Sequence, residues 1–224
     1  MPYDLKDLPL DSFDSIGELE YGLLKIAPGS HVSVRVFTSY FDKISLHYEN
    51  QPGFGYIQCP KDRCPYCFLA DSLKNNSGYK ATEHYLLPVF SLKDNNVEIL
   101  RITDNEKVGA LFPQIKRLVR TPDIEEKIVY IDRIDNSKFR VKPSPVSVPP
   151  SESQKLAVSV FAEKFKKGAI DLKSLFPRYS PEFLIENLDY LKDELTGLGY
   201  FTVSDENSDT PSSTSSPTDE EDMV

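Results

Sequence analysis

All three cysteines of the chain lie within nine residues, as Cys59, Cys64 and Cys67. An odd number of cysteines cannot pair off completely as disulfides. A Cys-x2-Cys step holds two thiolates on one tight turn, as a tetrahedral zinc ion or an iron–sulfur cluster requires. The prolines that follow Cys59 and Cys64 restrict the loop, so closing it on an ion costs less conformational entropy. The cluster therefore predicts a metal site and favours structural zinc (Zn2+). The alternatives are small buried apolar side chains or a redox-active thiol group, although no strand–helix unit of the thioredoxin type flanks the pair.

A fourth ligand has to come from one of the three histidines, His31, His47 or His84. His47 lies in an alternating run that predicts a strand, and eleven residues, including a Gly- and Pro-rich loop, separate it from Cys59. We therefore predict His47 as the fourth ligand. His84, which follows the last cysteine after sixteen residues, is the alternative.

The composition predicts a globular protein rather than a membrane-bound or secreted one. With 39 % apolar residues in 25.4 kDa, the chain can bury one full core. No apolar run approaches the roughly 18 residues of a membrane span, and the acidic N-terminus does not resemble a signal peptide. Free thiols with metal-ligand spacing fit a reducing compartment, so we expect a cytoplasmic protein without a membrane partner.

The formal net charge of −9 is unevenly distributed. Residues 204–224 hold seven acidic residues and no basic one, whereas residues 31–142 hold 17 basic residues against 14 acidic ones. The tail cannot bury enough apolar area to fold, so we expect it to be disordered. Its candidate partner-binding residues are Asp219, Glu220, Glu221 and Asp222. They could cover a cationic cleft as a phosphate mimic or recruit protein partners, and a merely solubilising tail is the alternative.

Short alternating segments predict about seven strands and two helices within residues 31–142. The strands cover residues 31–41, 44–49, 54–58, 83–92, 97–102, 128–134 and 138–141. The helices cover residues 68–75 and about 108–119. Because strands and helices do not alternate regularly, the pattern favours a mainly β fold with α additions over a parallel α/β sheet. We predict an OB-fold-like (oligonucleotide-binding), partly open barrel with a zinc-binding insertion, followed by two C-terminal helices.

Composition also divides the chain into five parts. They are an N-terminal arm (1–30), a core (31–142) with a zinc subdomain at about 44–80, a Pro-rich linker (143–150), a helical segment (151–203) and the acidic tail (204–224). In the helical segment, the first helix is predicted from Ser151 or Ser153 to about Lys167. The second has Ser180 as N-cap and Pro181 at its first position, and it runs continuously until Gly197 and Gly199 end it. This pair either packs on the core or forms a partner-binding module.

Motifs for catalysis are lacking, so we expect no catalytic residues and no enzyme. The sequence contains no phosphate-binding Gly-rich loop, no His-Glu-x2-His and no Gly-x-Ser-x-Gly. A zinc deaminase pairs His-x-Glu with Pro-Cys-x2-Cys, which His47-Tyr-Glu49 and Cys64-Pro-Tyr-Cys67 imitate. Cys59 as a fourth protein ligand would close the metal site to water, which argues against a deaminase.

Basic residues interleave with aromatic ones across the core, a combination that binds single-stranded nucleic acid. Cations track the backbone, and bases stack on aromatic faces at roughly 1–3 kcal/mol each. The candidate nucleic-acid-binding residues are Arg35, Phe37, Tyr48, Tyr56, Lys80, Tyr85, Lys138 and Arg140. We predict that they line one cationic cleft. Taken singly, each aromatic residue is better explained as core or ordinary surface, so the prediction depends on the density of the pairing.

The order of these features resembles the T-even phage type of single-stranded DNA-binding protein. A strand-borne His47 precedes Cys59-Pro-Lys-Asp-Arg-Cys64-Pro-Tyr-Cys67, and a helix, the apolar strand Tyr85-Leu-Leu-Pro-Val-Phe90, a hairpin and an acidic C-terminus follow. The resemblance covers about residues 31–142 and the tail. It implies an oligonucleotide-binding barrel whose zinc is held by one His and three Cys, matched in order by His47, Cys59, Cys64 and Cys67. It also implies a tail that recruits replication and recombination proteins.

The resulting hypothesis is a sequence-nonspecific single-stranded DNA-binding protein that acts in phage DNA replication and recombination without catalysis. The alternative is a zinc-containing adaptor, or a replication or transcription accessory factor, that works through protein–protein contacts of its C-terminal helices and tail. Salt-dependent binding of oligo(dT) separates the two hypotheses.

Overall fold

A computed structural model describes residues 21–37, 40–73 and 77–201. Seven strands and five α-helices occur within these ranges. The strands are β1 (His31–Val36), β2 (Asp42–Glu49), β3 (Gly55–Gln58), β4 (Thr82–Ser91), β5 (Asn96–Thr103), β6 (Val129–Arg133) and β7 (Phe139–Pro143). The helices are α1 (Pro65–Ser72), α2 (Leu111–Leu118), α3 (Glu152–Lys166), α4 (Pro181–Asn187) and α5 (Asp189–Gly197).

The seven described strands form one antiparallel sheet with β4 at its centre. β5 pairs along one edge of β4, and β1 and β2 share the other edge end to end. Val36 lies opposite Val89 and Asp42 opposite Leu86, so five residues lie between β1 and β2 where only two separate their partners on β4. The strand predicted over residues 31–41 therefore ends earlier, at Val36. β6 and β7 extend the sheet beyond β1, and β3 extends it beyond β2.

The sheet is open, and the predicted OB-type barrel is not confirmed. α2, rather than a strand-to-strand ladder, lies between β5 and β7. The Gln114 side chain of α2 donates to the carbonyl oxygen of Phe139 at 2.8 Å and accepts from the amide of Val141 at 2.9 Å. A helix side chain thus satisfies backbone groups on the outer edge of β7, which would otherwise be exposed. The coarser prediction, an antiparallel sheet with helical additions, is confirmed.

β4 has buried residues, most of them apolar, at consecutive positions rather than at every second one. Both faces of the sheet are therefore covered. On one face, α2 packs Leu111 and Ile115 against Val36 and Leu100. On the opposite face, α3 packs Phe161, which is fully buried, against a second cluster that contains Phe90 and Ile99. The helix predicted at residues 151–167 therefore packs on the core.

A third apolar cluster joins the metal-ligand segment to the C-terminal helices. It unites Ile57, Cys64, Tyr66 and Leu69 with Leu184, Leu188, Leu191, Leu195 and Tyr200. We call β3, α1, α4 and α5 together the metal lobe. The C-terminal helices thus complete this lobe instead of projecting from the protein.

The predicted ends of the C-terminal helices are largely confirmed. Ser151 accepts from the amide of Gln154 in a capping box at the start of α3, and Ser180 caps α4 with Pro181 at its first position. The prediction of one continuous second helix is wrong, because Leu188, with φ −124° and ψ 86°, separates α4 from α5. Leu188 is completely buried in the third cluster, so tertiary packing outweighs helix propensity there.

The ends of the chain are described only in part. Within the predicted N-terminal arm, residues 21–30 run beside the sheet, and the amide of Leu24 donates to the carbonyl oxygen of Ile99 at 2.9 Å. The acidic residues predicted to bind partners, at 219–222, lie outside the described residues. Among the helices that the structure describes, none combines the length and apolar character needed to cross a bilayer.

Candidate metal centre and nucleic-acid interface

His47, Cys59, Cys64 and Cys67 lie together, as predicted, and could hold a metal ion. Their four donor atoms all lie within 4.8 Å of one another. Nε2 of His47 is 3.2 Å from Sγ of Cys64 and 3.7 Å from Sγ of Cys67, and the Sγ atoms of Cys59 and Cys67 are 3.6 Å apart. Tetrahedral bonds of about 2.3 Å to sulfur and about 2.0–2.1 Å to nitrogen place ligand atoms about 3.6–3.8 Å apart. The cluster therefore fits one tetrahedral ion after small adjustments.

Local backbone structure explains how these four side chains converge. His47 on β2 lies opposite Ile57 on β3, and the amide of Cys59 donates to the carbonyl oxygen of Ser45 at 2.9 Å. The loop then turns tightly through Lys61 and Arg63, whose φ angles are 68° and 50°.

The last two cysteines occupy the first turn of a helix. Cys64 is the N-cap of α1, Pro65 takes the first helical position, and Cys67 follows two residues later. The helix predicted to begin at Phe68 therefore begins earlier, because the Cys64-x2-Cys67 step itself forms the start of α1. One helical turn fixes the spacing between the Cys64 and Cys67 thiols.

The thiols do not ionise equally. Hydrogen bonding from Cys64 lowers the pKa of Cys59 to about 4, in spite of partial burial. Burial, together with the charge of Cys59, raises the pKa of Cys67 to about 11. The hydrogen bond with Cys59 and burial raise the pKa of Cys64 as well. Cys64 and Cys67 thus hold their protons more tightly than Cys59, and a metal ion bound by all three cysteines as thiolates would release these protons.

Neighbouring side chains orient the histidine. Nδ1 of His47 lies 3.0 Å from the carbonyl oxygen of Tyr79; because a carbonyl only accepts, Nδ1 carries the proton and Nε2 is left for the metal. The Tyr66 ring stacks on the imidazole with 4.9 Å between ring centres. The Tyr66 hydroxyl donates to Glu49 at 2.7 Å, so a buried carboxylate supports the stacked pair.

Three tyrosine hydroxyls connect this segment to the C-terminal helices. Tyr190 of α5 donates to the same carboxylate oxygen of Glu49 that Tyr66 contacts. Tyr79 donates to Glu194 at 2.8 Å, and Tyr200 donates to the carbonyl oxygen of Arg63. The ligand loop and α5 are therefore held as one unit.

His84, the alternative ligand, is not part of the metal cluster. It is 1 % exposed on β4, with Nε2 2.8 Å from the Thr82 hydroxyl and its ring 5.6 Å from that of Tyr56. Burial, and secondarily the charge of Arg101, lower its pKa from 6.5 to about 4. His84 is therefore a neutral core residue.

The His84 environment predicts a loss of stability in mild acid. Between pH 6.5 and 4 the unfolded chain binds a proton at His84 and the folded chain does not, so the free energy of unfolding falls as the pH falls through this window. The loss is expected to be about 2–3 kcal/mol. Urea unfolding of wild type and of His84→Gln at several pH values measures this loss. It is the difference between the two proteins in how the free energy of unfolding changes with pH. His31→Gln, at an exposed histidine, is the control and should keep the wild-type profile; equal profiles for all three proteins would contradict the prediction.

A cleft of about 780 Å³ runs along the outer edge of β5. Its walls come from residues 23–27, the end of β5, the loop before β7, and Tyr56, Leu175 and Phe176. Three cations line it, Lys25, Arg101 and Arg133, and no acidic residue does. In a chain with a net charge of −9, this makes the cleft a distinctly cationic site.

The two arginines in the cleft are fixed in place without acidic partners. The Arg101 guanidinium lies 3.6 Å from the centre of the Tyr56 ring, and burial lowers its pKa. Arg133 donates to the carbonyl oxygen of Ile26 at 2.7 Å and to that of Asp135 at 3.2 Å. Within the described ranges, neither arginine forms an ion pair with a carboxylate. An anion entering the cleft would therefore meet two uncompensated positive charges.

The eight predicted nucleic-acid-binding residues do not share one surface, and only Tyr56 lines the cleft. The prediction that Arg35 and Phe37 line a cleft is wrong, because both side chains are buried. Arg35 is 3 % exposed, and its side chain donates to Gln154 of α3 at 3.0 Å. Phe37 is 7 % exposed and belongs to the apolar cluster beneath α3.

The other five lie at several places on the surface. Tyr48 is 57 % exposed and contacts Tyr56 with 4.9 Å between ring centres, so it is next to the cleft. Lys138 is exposed beside the cleft-lining Ser137 and pairs with Asp135, and Lys80 is exposed after Tyr79. Tyr85 stacks on Phe112 of α2. Arg140 follows Phe139, a cleft residue, and hence points to the opposite face of the sheet.

The three cleft cations, Lys25, Arg101 and Arg133, are not among the residues predicted to bind nucleic acid. Arg101 lies in the predicted hairpin, between the apolar residues Leu100 and Ile102. Because side chains alternate along a strand, the sequence indicates that Arg101 faces away from these two residues. No sequence signal marks its stacking on Tyr56, since 44 residues separate the two.

Comparison with known proteins adds no identification. No family model matches the chain, and neither the curated proteins nor the solved structures include a match. The fold and the site define a mixed α/β protein with an open seven-stranded antiparallel sheet among its described residues. A cluster of one histidine and three cysteines in it could hold a metal ion.

Proposed function

We propose that this protein binds single-stranded DNA without sequence specificity, in the cleft along β5. The observation that carries the proposal is the charge of this cleft, which has three cations and no acid in an otherwise acidic chain. Phosphates of a nucleic-acid backbone would neutralise Lys25, Arg101 and Arg133, and the counterions released would favour binding.

Aromatic faces supply the second requirement for a single strand. Phe139 lines the cleft, and the exposed Tyr48 packs against Tyr56 at its margin. The Tyr56 ring itself is covered by the Arg101 guanidinium, a flat group on which a base can also stack. Unpaired bases stack on such rings at roughly 1–3 kcal/mol each, whatever the base. In a duplex the bases already stack on one another, so a duplex gains much less stacking free energy from these rings. The combination therefore favours single strands and gives little sequence preference.

The cluster of one histidine and three cysteines is proposed to hold a structural zinc ion. Three thiolates and one imidazole are ligands that zinc prefers, and the donor-atom distances suit a tetrahedron. Four protein ligands leave no position for a reactive water, so the ion would serve folding rather than catalysis. Cys59 follows β3 directly, so the ion would also steady the strand that carries Tyr56.

The resemblance to T-even phage single-stranded DNA-binding proteins supports the same function. β1 and β2 pair end to end along one edge of β4 with extra residues between them, as strands do at the corners of small barrels, and a distant OB-type relationship is part of the proposal. A role in phage DNA replication and recombination, with partners recruited by the acidic tail, follows from the resemblance.

Fluorescence titration with oligo(dT) at about 50 and 200 mM salt tests the proposal. With three phosphate contacts and a coefficient of about 0.7 per contact, the slope of log K against log salt is expected near −2, or an affinity loss of about 20-fold between the two conditions. A duplex of equal length should bind more weakly. Absence of oligo(dT) binding at low salt would contradict the proposal and favour the zinc-containing adaptor.

A further inference from the structure

One flank of α3 is exposed and apolar in the described structure. Leu156 is 65 % and Val160 40 % exposed, and their spacing of four residues puts them one above the other on the helix. At 100° per residue, Lys164 and Lys167 continue the same line. We call these four residues the α3 stripe. It lies beside the buried face that carries Phe161.

The N-terminal part of the chain enters the described structure next to this stripe. The Tyr21 ring contacts Phe161 edge-on, with 5.1 Å between ring centres, and residues 22–24 then run along β5. Tyr40 contacts Phe161 and Phe165 from the other side, with Lys166 5.7 Å from its ring centre. Tyr21, the first described residue, therefore packs against the residue that follows Val160 in α3.

Residues 1–20 have a composition that complements the stripe. From Leu10 onward they carry an apolar residue at every third position, Leu10, Phe13, Ile16 and Leu19. The twenty residues hold six acidic residues and one basic residue, whereas the stripe ends in two lysines, of which Lys167 also pairs with Glu163 of α3 at 3.6 Å. α3, with 15 residues, is about 22 Å long, a distance that about seven extended residues can span. The segment is thus long enough to reach every part of the stripe.

We propose that residues 1–20 dock on the α3 stripe of their own chain. Phe13, Ile16 and Leu19 would cover Leu156 and Val160, and the acidic residues between them would face Lys164 and Lys167. This contact is independent of DNA binding, since the stripe contributes no residue to the cleft.

Hydrogen exchange of the full chain, read by mass spectrometry, tests the docking. Amides of residues 1–20 are expected to exchange at least tenfold more slowly than in the isolated peptide. The double variant Leu156→Ser and Val160→Ser should remove this protection, whereas Val146→Ser, at a 68 % exposed apolar position in the linker, should keep it. Phe13→Ser should remove the protection as well, and this variant leaves α3 unchanged. Unprotected residues 1–20 in the wild type would overturn the proposal, as would protection that persists in both stripe and Phe13 variants.

Sedimentation measurements separate docking within one chain from docking between two copies. Docking within the chain predicts a monomer whose N-terminal protection does not change on tenfold dilution. A wild-type dimer that Leu156→Ser with Val160→Ser converts to a monomer would overturn docking in the same chain and assign the stripe to a second copy.

Discussion

Cys64→Ser is expected to abolish stoichiometric zinc binding and to unfold the metal lobe while the central sheet stays folded. Cys64 is 3 % exposed and packs among the leucines of α4 and α5, so metal binding and apolar packing depend on the same residue. Apparent binding free energies of structural zinc are about 10–16 kcal/mol in small zinc domains, and they become folding free energy when the site forms only in the folded state. Loss of one ligand should therefore cost several times the roughly 1 kcal/mol of an average substitution.

Metal analysis and hydrogen exchange together measure this result. Protein purified without chelator should contain one zinc ion per chain, and Cys64→Ser close to none. Exchange should accelerate in residues 65–72 and 181–197, and far less in β4 and β5. Ser72→Ala, at the exposed last residue of α1, is the control and should change stability by less than about 0.5 kcal/mol. Unchanged exchange in the lobe after zinc removal would show that the cluster has no structural role.

Arg101→Ala is expected to weaken oligo(dT) binding by about 10- to 100-fold at low salt. The side chain combines a charge, which has no acidic partner within the described ranges, with a flat guanidinium held 3.6 Å from the Tyr56 ring centre. Loss of one stacked base costs roughly 1–3 kcal/mol, and loss of one phosphate contact lowers the salt slope by about 0.7. Titrations at several salt concentrations measure both quantities.

Two further variants show which property of Arg101 matters. Arg101→Lys keeps the charge and loses the planar group, so it should retain the salt slope but not the full affinity. Arg140→Ala removes a cation from the opposite face of the sheet and should bind like the wild type. If Arg140→Ala weakens binding as much as Arg101→Ala, the DNA does not lie in the cleft along β5.

Features that depend on neighbouring residues could be predicted from the sequence. Short-range geometry brings Cys64 and Cys67 onto one turn, and a hairpin returns the chain from His47 to Cys59, so all four candidate ligands could be identified. The starts of α3 and α4 were also predictable, because Ser151 and Ser180 cap the backbone of residues only three positions away. In each case the determining contact is local.

Contacts between distant residues decided the remainder. Arg35 looks like a surface cation in an alternating strand, but α3, more than a hundred residues later, covers it. Arg101 and Tyr56 stack only because β2 and β4 bring two hairpins together. The break at Leu188 and the opening of the sheet beside α2 likewise follow from packing between separate elements. The sequence alone thus determined the four candidate ligands and the helix starts, because backbone geometry limits what neighbouring residues can do. Only the tertiary structure decided which cations and rings face the cleft, since alternation specifies two sides of a strand but not what covers each side.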